Sequence, residues 1–172
     1  DILITRPENI GNSAAYGLEA SIDYQMFKWW KINTGGNAFL YQLSGQLAEE
    51  LYSAESINYN VRLTSTFTVL ENWFVQFISR YQSGSVTAQG LEYSNFTQDV
   101  SIKTNLASKK ISITLQGRNV LNTARRQSIS TIENVFLYSR SIPYYPQLFL
   151  SLSVKLNNYQ KKYEDQEEMD DF

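Results

Sequence analysis

From Tyr16 to Met26 the chain alternates without a break, with Tyr16, Leu18, Ala20, Ile22, Tyr24 and Met26 set against Gly17, Glu19, Ser21, Asp23 and Gln25. A helix would mix these two sets on one surface. Only an extended strand, whose successive side chains point to opposite faces, sorts them into an apolar and a polar side. The same period of two recurs six times. Lys31–Leu43 keeps Ile32, Ala38 and Leu40 together, with Gly35 and Gly36 marking a bend or a close approach. Ile57–Val69 opposes Ile57, Tyr59, Val61, Leu63, Phe67 and Val69 to a face of Asn, Thr and Arg62. Further segments run over Trp73–Tyr81, Phe96–Leu106, Ile111–Gln116 and Leu148–Leu156. Together they predict an all-β, antiparallel up-and-down meander of seven long strands. A further hairpin within Arg126–Ser141 would raise the number to nine.

The connections alternate in length. Lys28–Lys31, Glu71–Asn72 and Ala107–Lys110 are short, whereas Ser44–Ser56, Ser83–Ser94 and Asn122–Tyr145 are long. One end of the sheet therefore has tight turns and the other has loops, the asymmetry of a bacterial transmembrane barrel. Phe27, Trp29, Trp30, Trp73 and Phe74 all lie beside the short turns, as an aromatic girdle at a membrane interface requires. An odd number of up-and-down strands cannot close with antiparallel neighbours throughout, so the expected object is an open wall, an incomplete part of a barrel with two bare edges.

Composition removes most other classes. There is no stretch of ~20 apolar residues, the length a helical span needs, and the mean hydropathy is -0.35. That average does not exclude a barrel, because lumen-facing residues cancel the lipid-facing ones. The chain has no Cys and no His, so disulfides, the usual zinc sites and His-based catalysis are absent together. No nucleophile, base and oxyanion donor can be assembled; neither an enzyme nor a cofactor is expected. Charge is uneven, with Glu164, Asp165, Glu167, Glu168, Asp170 and Asp171 in the last nine positions, but no basic stripe appears, which speaks against nucleic acid as a partner. The opening Asp1–Pro7 lacks a Met and a signal sequence, and is expected to begin inside a longer chain.

The alternative is a small self-contained β-barrel or a soluble β-sandwich serving as a binding or structural protein, with the apolar face turned into a core. Strand length, aromatics gathered at the turn end and a polar face of Asn, Thr, Ser and Gln favour the membrane version.

Four stretches carry a resemblance: Asn9-Ile10-Gly11-Asn12-Ser13-Ala14-Ala15-Tyr16-Gly17-Leu18-Glu19, Lys28-Trp29-Trp30-Lys31, Gly117-Arg118-Asn119-Val120-Leu121-Asn122-Thr123, and Leu148 to Asn157. In order and spacing they resemble the C-terminal barrel region of TonB-dependent outer-membrane receptors, particularly the β-barrel family common in Bacteroidetes. The resemblance implies a barrel of about 22 strands around an N-terminal plug, which imports a siderophore, cobalamin, glycan or peptide with energy from the TonB system. It divides the chain into a loop or the end of a preceding strand (1–12), a C-terminal barrel segment (13–158) and an acidic periplasmic tail (159–172). Partners would be the plug and remaining strands of the same chain, the TonB system and outer-membrane lipid. The insertion signal would be the strand of Leu148, Leu150, Leu152, Val154 and Leu156; Phe172 ends the acidic tail instead of a strand.

If the apolar parity faces lipid, Glu19, Asp23, Arg62, Arg80, Asp99 and Lys103 face the lumen. A charge on the lipid side would cost ~2–4 kcal/mol near the midplane. Glu49-Glu50 and Arg125-Arg126 fall in loops, where solvated charges are the expected reading; the second pair has contact with anionic lipopolysaccharide as an alternative. Pro143-Tyr144-Tyr145-Pro146 reads as a stiff entry to the last strand.

Overall fold

A computed structural model describes residues 11–47, 50–108, 110–132, 135–142 and 146–156. Eleven strands form from these residues: β1 (Gly11–Phe27), β2 (Trp30–Leu47), β3 (Glu50–Leu70), β4 (Trp73–Gln82), β5 (Ser85–Thr87), β6 (Gly90–Glu92), β7 (Asn95–Leu106), β8 (Ile111–Arg118), β9 (Arg126–Ile132), β10 (Val135–Ser141) and β11 (Gln147–Val154). Seven make one antiparallel sheet in the order β1-β2-β3-β4-β7-β8-β11, and four make a second in the order β10-β9-β6-β5. The larger sheet is the expected open wall, with β1 and β11 as its edges.

Register explains the sorting. Directly opposed residues of an antiparallel pair share a face, so Leu18↔Ala38, Ala38↔Tyr59, Val61↔Tyr81, Phe77↔Val100, Ile102↔Leu115 and Leu115↔Leu150 extend one apolar surface across all seven strands. Among the described residues no hydrophobic side chain is buried; the buried ones are Asn58, Thr64, Asp99 and Thr104. That inverts a soluble domain. A sandwich would bury Leu18, which is 84% exposed, and Leu150, at 74%. Among the described residues no second layer covers the apolar face, so they do not form a soluble sandwich.

Several uncharged polar groups on that face find partners within the sheet, although the buried Thr104 Oγ1 has none. The Trp30 indole N–H donates to Ser65 Oγ at 2.6 Å, Ser79 Oγ to Gln98 Oε1 at 2.7 Å, and Thr34 Oγ1 to the Arg62 carbonyl at 3.2 Å. In hydrocarbon an unpaired polar group costs several kcal/mol, and these contacts remove that cost. Gly36 serves a close approach, since a Cβ there would run into the Asn60 carbonyl oxygen on β3.

Four expectations change. Ser44–Ser56 is not a long loop, because β2 and β3 continue as a paired ribbon to Leu47↔Glu50. The Ser83–Ser94 connection contains the β5–β6 hairpin. The hairpin anticipated in Arg126–Ser141 exists as β9–β10, yet it joins β6 in the second sheet and leaves the wall at seven strands. The final strand ends at Val154, so Leu156 lies beyond it. Glu49, Pro143 to Tyr145 and the tail from Asn157 fall outside the described residues.

Candidate functional site

All six charged residues assigned to the polar side share one face. Glu19 opposes Asn37 and Asp23 opposes Asn33; Arg62 opposes Arg80; Ile78 opposes Asp99, and Phe74 opposes Lys103. They are not one cluster, however. Asp23 pairs loosely with Lys31 at 3.4 Å, both side chains being mostly exposed, a contact of little energetic weight. Arg80 Nη1 lies 2.8 Å from Asp99 Oδ2. The other Asp99 oxygen accepts the Asn119 backbone N–H at 3.0 Å.

Asn119 carries a corner that the sequence reading tied only to a resemblance. With φ at 51° it stands in the left-handed region, which Asn tolerates better than most residues. Its Oδ1 accepts the N–H groups of Thr123 and Ala124, each at 3.0 Å. Thr123 Oγ1 in turn donates to the Phe96 carbonyl at 2.7 Å, and the Arg125 N–H donates to Asn95 Oδ1 at 3.0 Å. The Gly117–Thr123 stretch therefore turns the chain away from β8 and fastens it to β7.

The aromatic residues divide. Phe27, Trp29, Trp30 and Phe67 stack with centroids 5.4–6.2 Å apart at the short-turn end. Phe27 reaches the apolar face because the register shifts between Gln25 and Phe27. Trp73, opposite Thr104, is on that face as well, whereas Phe74 opposes Lys103 and so sits on the polar face, apart from the other four. A second aromatic rim was missed: Tyr16, Tyr59, Tyr81 and Phe96 occupy the apolar face toward the loop end, with Tyr59 and Tyr81 stacked at 5.7 Å. Its signal was Tyr on the apolar parity far from any short turn.

Above that rim the polarity of the two faces exchanges. The row Tyr16–Leu40–Ile57 is apolar, but the next on the same face is Ala14–Gln42–Glu55, where Gln42 Nε2 donates to Glu55 at 3.1 Å. On the opposite face Tyr41, Leu43, Tyr52 and Ala54 now appear in place of Asn and Arg. Ten residues separate Trp30 from Leu40 on β2. At ~3.4 Å each they span about 34 Å, or about 26 Å across a sheet tilted by ~40°, against the ~25 Å height of an outer-membrane apolar band.

Two cavities lie at the loop end, the first where β5 meets β3 and the second between the β4–β7 pair and the second sheet. One, of about 310 Å³, is lined by Phe39, Tyr41, Asn58 and Val86 among others. The other, of about 590 Å³, is polar and has Gln82, Asn95, Arg125 and Arg126 in its lining. Among the described residues no group of His, Cys, Asp and Glu is placed to hold a metal ion.

An apolar outer face of membrane height, bounded by aromatic rims and backed by a polar inner face, defines a membrane-spanning β-barrel wall. The chain belongs to the outer membrane protein beta-barrel family, whose model matches residues 1–155. No curated protein and no solved structure matches it.

Proposed function

We propose that this outer-membrane wall is the C-terminal part of a TonB-dependent receptor of the Bacteroidetes type, which imports a nutrient of the siderophore, cobalamin, glycan or peptide class. The open sheet carries the reading: β1 and β11 each have a strand on one side only, and bare edges of that length need further strands of the same barrel. The four resembling stretches supply the family, and the Asn119 corner gives one of them a structural reason. In this reading the polar face lines the lumen around the plug, the short turns and the C-terminus are periplasmic, and the second sheet stands outside the cell. The chain performs no chemical step; its partners are the plug, the missing strands, outer-membrane lipid and, through the plug, the TonB system.

The test is the intact gene product. An outer-membrane protein several times larger than 19.8 kDa, whose deletion impairs growth on one nutrient class as loss of TonB does, is the expected result. A product of about that mass that needs no detergent, or growth indifferent to TonB, would sink it.

A further inference from the structure

The polar cavity of about 590 Å³ lies between the wall and the second sheet, within the ~300–1,000 Å³ range of small-molecule sites. Its floor is the register pair Gln82↔Asn95, on the same face as Arg80 and Asp99. Its roof is the face of the second sheet on which Glu92, Ser128 and Ser139 form one row and Arg126 opposes Ser141. Arg125 and Arg126 enter at the seam, which two backbone donors hold closed: Arg125 N–H to Asn95 Oδ1 at 3.0 Å and Tyr93 N–H to the Gln127 carbonyl at 2.9 Å.

We propose that this cavity binds a small soluble anion bearing carboxylate or phosphate oxygens. The inference rests on the receptor reading and deepens it by giving the mouth of the barrel a ligand class. The lining offers two guanidinium forks, serine hydroxyls and amides against a single carboxylate, Glu92. Among the described residues neither guanidinium has a carboxylate within 4.0 Å, the ion pairs being Lys31–Asp23 and Arg80–Asp99. A fork with no carboxylate beside it among the described residues is a donor for planar oxyanions, and the serines beside it add neutral donors. A neutral polyol would leave both charges unused. A lipopolysaccharide phosphate has the same chemistry but would come from the apolar side, whereas the cavity floor belongs to the polar face.

The experiment uses the full-length protein in detergent, with calorimetry at fixed ionic strength and citrate, inorganic phosphate and lactose as probes. Citrate is expected to saturate one site. The R125Q/R126Q double variant should weaken it about tenfold or more, the size of one lost charge-assisted contact, and Glu92→Gln should tighten it by removing a like charge. Unchanged heat-modifiable migration on gels establishes that the variants fold. The proposal is overturned if citrate and phosphate do not bind, if the double variant binds citrate unchanged, if lactose binds more tightly, or if only lipopolysaccharide-containing vesicles engage the arginines. Because binding is read without TonB, and the receptor reading by TonB-dependent growth, either can fail alone.

Discussion

Arg62 and Arg80 stand directly opposite each other across the β3–β4 ladder, and Asp99 on β7 takes Arg80 at 2.8 Å. Like charges so placed repel. Asp99, a residue only 6% exposed, relieves that repulsion through its carboxylate while also holding the Asn119 corner. Asp99→Ala should therefore cost ~1–3 kcal/mol, the loss of a hydrogen-bonded charge. Urea unfolding of the vesicle-inserted protein reads it; Arg62→Gln in the same background should restore part of the loss. An unaltered midpoint for Asp99→Ala would mean that the network is ornamental.

Val100 and Ser101 are consecutive on β7 and lie on opposite faces. Val100→Arg should cost ~2–4 kcal/mol if its face meets lipid near the midplane, and Ser101→Arg much less. Folding yield into lipid vesicles separates the two. Equal effects would contradict the assignment of the faces.

All three tryptophans, Trp29, Trp30 and Trp73, are at the short-turn end. Fluorescence quenching by lipids brominated at graded depths should be strongest for bromines near the headgroups and weak for those near the chain ends. Maximal quenching at the bilayer centre would place these rings away from the interface.

Asn119→Ala removes the acceptor of two backbone N–H groups and puts a less tolerant residue at φ 51°. A loss of about 1–3 kcal/mol is expected from the hydrogen bonds alone. Asn119→Asp, which keeps the acceptor, should recover most of it in the same unfolding measurement.

Much of the wall was legible because its rule is local. A period of two needs only near neighbours in sequence, so the seven strands, the short turns and the common face of Glu19, Asp23, Arg62, Arg80, Asp99 and Lys103 could be read directly. Phe74 stands beside a short turn, but nearness to a turn does not fix a face; its register with Lys103 does. The β2–β3 ribbon resembles a loop in sequence because its alternation reverses sense: Tyr41 and Leu43 move to the face that carries Asn37 and Asn33. The apolar parity ends at Leu40 and Ile57, while the paired strands continue to Leu47 and Glu50.

Sequence alone determined that the chain alternates, that its connections are short at one end, and that Glu19, Asp23, Arg62, Arg80, Asp99 and Lys103 share the polar parity. Tertiary structure alone decided the second sheet, since Gly90 pairs with Ser130 and Glu92 with Ser128, strands that come from two separate connections and are too distant in sequence for any local period to link. It also decided the cavity that holds Arg125 and Arg126, because a pocket is made by groups brought together across that pairing, not by any one segment.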